Sequence, residues 1–171
     1  WFYDTSSRRD LHAPEAWDVT VGDTSVVVGI VDTGTLQDHP DLVGQFWTNW
    51  RERNGLPGVD DDRNGFVDDD RGWDFVDLDS LIAVRDGEDG RFEDNDPNDW
   101  AGHGTGVAGL VGANTDNQIG IAGTAWKVRL MPLRVGWSTT AHPSGEADVS
   151  YMAEAFVYAA RMGASVINCS F

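Results

Sequence analysis

Five stretches of the chain carry a hydrophobic pattern that predicts regular structure. Val26-Val27-Val28-Gly29-Ile30-Val31 is a continuous, mostly β-branched run, as in a strand buried on both faces, and it stops at the turn signal Asp32-Thr33-Gly34. The segment from His103 to Ala113, HGTGVAGLVGA, is built of small and apolar residues. It predicts a helix packed closely on a sheet, although its glycines would weaken it in isolation. Lys127 to Val135 alternates like a strand, with Pro132 expected to confine it to an edge or an irregular position. Val149, Met152, Ala153, Phe156 and Ala160 recur at helical spacing and predict an amphipathic helix, with Gly163 placed as its C-terminal cap. Ser165 to Cys169 then predicts a further buried strand.

Strands separated by helices predict a parallel sheet with right-handed crossovers, hence an α/β, doubly wound fold with helices on both faces. From about residue 43 to about residue 100 the rhythm stops. That stretch is rich in Asp, Gly, Asn and Pro and predicts a long loop insertion. With 171 residues, 40% of them hydrophobic and 11% aromatic, there is enough apolar material for one sizeable core. The chain opens at Trp1 without an initiator Met and stops at Phe171, directly after an apolar run. It is expected to be the N-terminal part of a domain cut before its C-terminal half. There is no solenoid-type repeat, no signal-peptide pattern, and no run approaching the roughly 18 apolar residues of a membrane span. Any targeting segment would lie upstream.

Charge changes the picture in two ways. The formal net charge is −17, and between Asp60 and Asp99 there are 16 acidic side chains against four arginines, a local net of −12. A nucleic-acid partner is excluded on that ground, because such binding depends on Lys and Arg neutralising phosphates. A field of this sign attracts cations and favours solubility. The single Cys169 excludes an internal disulfide framework.

Two residues stand out as candidate chemistry. Asp32 follows a buried strand and so sits at the sheet edge where ligands bind in open α/β folds. Three roles are open to it: a turn aspartate bonding its own backbone, half of an aspartic-protease pair, which needs a second such motif, or the carboxylate that orients a base. His103 opens a predicted helix, where the helix dipole disfavours its protonated form, while a facing carboxylate would stabilise the imidazolium. That combination suits a general base. His39 belongs to the loop after Asp32, and His12 and His142 have no motif around them.

Together these segments resemble the subtilisin-like serine proteases, or subtilases. Ile30-Val31-Asp32-Thr33-Gly34, continuing to His39-Pro40-Asp41-Leu42, is similar to the family's Asp region. His103-Gly104-Thr105-Gly106-Val107-Ala108-Gly109 is similar to its His region, with Gly106 where many members carry a second His. Gly120-Ile121-Ala122-Gly123 and Ala164 to Ser170 fall at the expected later places. The resemblance implies a serine endopeptidase working through an Asp-His-Ser triad, in the chain order known for subtilisin. Asp32 and His103 would be its first two members, with the Ser and the oxyanion-hole Asn beyond Phe171. Residues 1–171 alone are therefore expected to be inactive. It also implies a polypeptide substrate lying as an added strand between Gly145-Glu146-Ala147 and Ser170-Phe171, with Val149 and Met152 near its side-chain pockets. A propeptide upstream, secretion and a monomeric state are expected on the same basis.

Asp60-Asp61-Asp62-Arg63-Asn64-Gly65-Phe66-Val67-Asp68 sets oxygen donors at alternate positions around a glycine. Asp60, Asp62, Asn64, the Phe66 carbonyl and Asp68 match the first nine positions of an EF-hand-type calcium loop. Arg71 stands where that loop needs Glu, so a bidentate ligand would have to come from Asp69 or a distant residue. Oxygen donors without Cys or His point to Ca²⁺. Asp94, Asp96 and Asp99 form a second candidate cluster. The alternatives kept open are a non-catalytic, calcium-stabilised binding module (a pseudoprotease) and a dimeric aspartic protease built on Asp32, which would leave HGTGVAG without a purpose.

Overall fold

A computed structural model describes residues 11–171. In chain order its elements are α1 (Ala13–Trp17), β1 (Val27–Asp32), α2 (Trp50–Arg53), β2 (Trp73–Asp74), α3 (His103–Gly112), β3 (Arg129–Arg134), β4 (Gly136–Trp137), β5 (Glu146–Ala147), α4 (Val149–Arg161) and β6 (Val166–Cys169). Four strands form a parallel sheet in the order β2-β3-β1-β6, and β4 pairs antiparallel with β5 in a separate ribbon. The register sets Asp32 beside Arg134 and Val31 beside Cys169. The C-terminal ends of three strands therefore converge on one edge.

Side-chain alternation along β1 divides the core into two layers. Val28 and Ile30 pack with Ala108, Val128 and Leu130 on the α3 face. Val27 and Val31 pack with Met131, Leu133, Ala155, Tyr158 and Ala159 on the α4 face. The helices thus cover opposite faces, as a doubly wound sheet requires. Burying a side chain such as Ile30 or Leu133 completely contributes about 1.5–3 kcal/mol each.

Three sequence expectations need correction. First, β3 lies between β1 and β2 rather than at an edge. Leu130 and Arg134 make backbone bonds outward, to Gln45, Trp47 and Phe75, so Pro132 faces outward as well. Its missing N–H falls in the gap between the short bridge at Phe46 and the start of β2 at Trp73, where no ladder bond is lost. Second, α4 does not bury the stripe formed by Val149, Phe156 and Ala160. It packs through Ala155, Tyr158 and Ala159, leaving Val149 and Phe156 exposed. The buried face meets the Val27, Val31, Met131 and Leu133 side of the sheet, with Met152 packed at its margin. Third, β6 is an edge strand with Val166 and Ile167 exposed, not a buried one. Among the described residues no strand lies beyond it.

Candidate active site

Asp32 is the last residue of β1, and its side chain is wholly removed from water. Its Oδ1 accepts the Thr33 N–H at 2.7 Å and lies 2.7 Å from His103 Nδ1. A carboxylate only accepts, so Nδ1 carries the shared proton and Nε2 is left with a free lone pair. The imidazole itself is 43% exposed, which makes that lone pair reachable from outside. A buried acid behind a half-exposed imidazole can take a proton at Nε2 and stabilise the resulting cation.

Glycines let the two segments meet. A Cβ on Gly104, in the first turn of α3, would stand 2.1 Å from the Gly34 carbonyl oxygen and 3.0 Å from Asp32 Cβ. Gly34 itself has φ +111°, and its Cβ would stand 2.2 Å from the Asn98 oxygen. Gly106, by contrast, faces open space.

A cleft of about 330 Å³ opens beside His103, lined by Thr33, Gly145, Glu146, Ala147, Met152, Ser170 and Phe171 among others. All five expected substrate-contact positions and Met152 line it; Val149 does not. Glu146 and Ala147 form β5, held by pairing with Gly136 and Trp137. A larger hollow of about 600 Å³ lies elsewhere, at Phe46, Trp50, Arg71 and Arg129, and holds none of the candidate residues.

In the acidic loop, Asp62 is drawn toward Glu52 and Asp69, each offering a carboxylate oxygen within 4.8 Å of the others. Glu52, buried in α2, was not anticipated. Its two oxygens accept the N–H groups of Asp62 and Asp68 at 2.9 and 3.1 Å. Asp60 is turned to the Asn64 and Gly65 N–H groups, and Asp68 to that of Gly58. The Asn64 side chain reaches Asp69, and its own oxygen accepts the Phe66 N–H. Asp69 is fully buried and accepts Asn49, Asn64 and Tyr158. Burial, with Asp62 nearby, pushes its carboxyl up to about 6 against the pull of those donors. Three carboxylates crowded this way suit a hard cation with oxygen ligands. Asp94, Asp96 and Asp99 do not converge in the same manner: Asp94 accepts the Asp96 N–H, and Asp99 is turned to donors around the Asp32 and His103 turns.

Glu52 carried no sequence signal, because it sits in another element ten residues before Asp62. Asp99, three residues ahead of the cap residue Gly102, carried none that set it apart from the other acidic residues of the insertion.

The chain is similar to known proteases in sequence and in fold. The chain is 34% identical over 162 residues to thermitase of Thermoactinomyces vulgaris, covering 95% of this chain and 42% of that protein. A thermophilic serine proteinase of Bacillus sp. strain AK1 is also 34% identical over 162 residues, with 30% of its length covered. A solved protease structure from Pseudoalteromonas arctica superimposes with a TM-score of 0.69 at 26% identity, over 99% of this chain and 48% of that one. The chain thus spans less than half the length of these relatives. The subtilase profile itself matches residues 23–171, a span that holds the sheet, both sheet-covering helices and the Asp32–His103 contact, and the chain belongs to the subtilase family.

Proposed function

We propose that this segment supplies the acid and base of a serine endopeptidase. The observation that carries the proposal is the 2.7 Å contact between His103 Nδ1 and the fully buried Asp32, beside a cleft open to solvent. His103 Nε2 takes the proton of a serine hydroxyl as that oxygen attacks a peptide carbonyl, then returns it to the leaving amine. Asp32 keeps the imidazole in the required tautomer and stabilises its cation. The serine and the oxyanion donors come from sequence outside residues 1–171, so this stretch alone does not turn over substrate. A polypeptide substrate lies extended between Gly145-Glu146-Ala147 and Ser170-Phe171, adding a strand to the exposed backbone. The kinship with a serine proteinase supports this reaction class.

Glu52, Asp62 and Asp69, with the donors of the loop around them, hold Ca²⁺ in a structural role. Weak sites of this kind fill at extracellular calcium levels, which fits a secreted enzyme.

The test is labelling of the full-length protein with a fluorophosphonate probe. Labelling is expected for the parent and strongly reduced in His103→Ala, while residues 1–171 alone neither label nor cleave casein. Unchanged labelling in His103→Ala, or turnover by residues 1–171, overturns the assignment. A full-length protein that binds calcium yet never labels is the calcium-stabilised binding module instead.

A further inference from the structure

We propose that Asp99 is the positioning residue that fixes His103 against Asp32, resting on the protease assignment above. Asp99 Oδ1 accepts the Thr33 hydroxyl at 3.0 Å and the N–H groups of Ala101 and Gly102 at 3.0 and 2.8 Å. Its Oδ2 accepts the N–H and the hydroxyl of Thr105 at 2.8 and 2.6 Å. One carboxylate thereby gathers five donors from two segments about seventy residues apart in sequence.

These donors flank the reacting pair. Thr33 follows Asp32, Gly102 precedes His103, and Thr105 lies in the same first turn of α3. Thr33 Oγ1 in turn accepts the Gly104 N–H at 3.0 Å, and Thr105 Oγ1 accepts the Leu36 N–H at 3.0 Å. The bonds therefore close loops through both the strand-end turn and the helix start. α3 has glycine at its cap position, in the left-handed conformation and without any side-chain cap, so Asp99 satisfies helix-start donors that would otherwise be orphaned. Its own segment is tied to the sheet as well. The next residue, Trp100, lies under the Arg134 guanidinium, 4.7 Å from ring centroid to Cζ, and Arg134 is the register partner of Asp32.

A simple cap would stabilise the helix and leave the chemistry alone. A clamp on both segments also sets the Nδ1–Oδ1 distance, and displacements of about 1 Å at such a site cost on the order of a hundredfold in rate. In the full-length protease, Asp99→Ala is expected to lower kcat about a hundredfold with KM within about twofold. The acidic limb of its kcat/KM–pH profile should move to lower pH, because a looser Asp32 bond and one fewer nearby anion both weaken the imidazolium. The far-downfield proton resonance of the His103 Nδ1–H should fade in parallel. Asp99→Asn keeps one acceptor oxygen but turns an amide toward Thr105, so it should recover part of the rate. Should Asp99→Ala fail to fold, Thr33→Val removes two bonds of the clamp while leaving the Asp99 charge in place, and should shift the acidic limb in the same direction by a smaller amount. A lower Tm with unchanged kcat and pH profile in the variants that fold overturns the inference. His103→Ala separates the two levels: activity surviving in it sinks the protease assignment, whereas its loss beside unaffected Asp99 and Thr33 variants sinks only the role of Asp99.

Discussion

Gly104 shows how narrowly the site depends on a missing atom. Any side chain there meets the Gly34 carbonyl at 2.1 Å, and that carbonyl belongs to the turn immediately after Asp32. Neither partner is a flexible side-chain end, so the backbone must shift. In the full-length protein, Gly104→Ala is expected to destabilise the fold by about 1–3 kcal/mol and to lower kcat by more than its effect on Tm explains, since the shift separates Asp32 from His103. Gly106→Ala is the matched control. It meets nothing within 4 Å and replaces glycine inside a helix, so it should leave activity intact and raise Tm slightly. Thermal melts and steady-state kinetics on both variants check the pair. Equal behaviour of the two would show that contact at residue 104 does not govern the site. Asp32→Asn belongs to the same scale: it spoils the tautomer of His103 and should lower kcat by about 10⁴-fold, by the general behaviour of such triads.

At the scale of elements, the loop between β2 and α3 is held by a buried cation. Arg134, fully buried, ion-pairs with Asp74 and with Glu88, the latter at 2.9 Å, and carries Trp100 on its face. Glu88 in addition accepts the N–H and hydroxyl of Ser138. Burial pushes the Asp74 carboxyl up to about 7, with Arg134 opposing. Arg134→Met leaves two buried carboxylates without their cation and should destabilise by about 3–5 kcal/mol. The sign with pH follows from Asp74. Its folded value lies above the unfolded one, so the folded state binds the extra proton and stability falls as pH rises through that window. Without Arg134 the window widens upward, and the variant should lose more stability between pH 5 and pH 8 than the parent does in urea titrations. Parallel slopes would show that Asp74 does not depend on Arg134. None of this network was legible in the sequence, where Asp74, Glu88 and Arg134 stand in unrelated segments. The strand Val27–Asp32 and the helix from His103 were legible, because β-branched runs and small-residue spacing are local signals. The buried face of α4 was not: the helix carries two apolar stripes, and the choice between them is made by the sheet residues it meets, Val27, Val31, Met131 and Leu133. Likewise Asp32 and His103 announced themselves through their own neighbours, whereas Asp99 acts through N–H groups that only the fold assembles.

The whole molecule carries a formal charge of −17, and among the described residues Glu52, Asp62 and Asp69 bring three carboxylates together. Asp69, raised to about 6 from an ordinary value near 3.8, binds a proton in the folded state that the unfolded chain has already released between those pH values. Its contribution is therefore fully present below pH ~4 and is lost as pH climbs to about 6. A cation at the group reverses the sign, because it favours the ionised carboxylates that burial penalises and competes with the proton. Calcium at a hundred times its dissociation constant would add about 2.7 kcal/mol, and that gain should be large at pH 7 and much smaller at pH 5. Magnesium at equal concentration separates site binding from general screening of the negative surface, since its small, rigid shell suits such a loop poorly. Asp69→Asn should make the calcium-free protein less sensitive to pH between 4 and 6, and should lose most of the calcium gain at pH 7. Melting curves with calcium, magnesium or a chelator at both pH values read all of this out. A calcium shift equal at pH 5 and pH 7, or matched by magnesium, would locate the effect in the overall charge rather than in the three converging carboxylates.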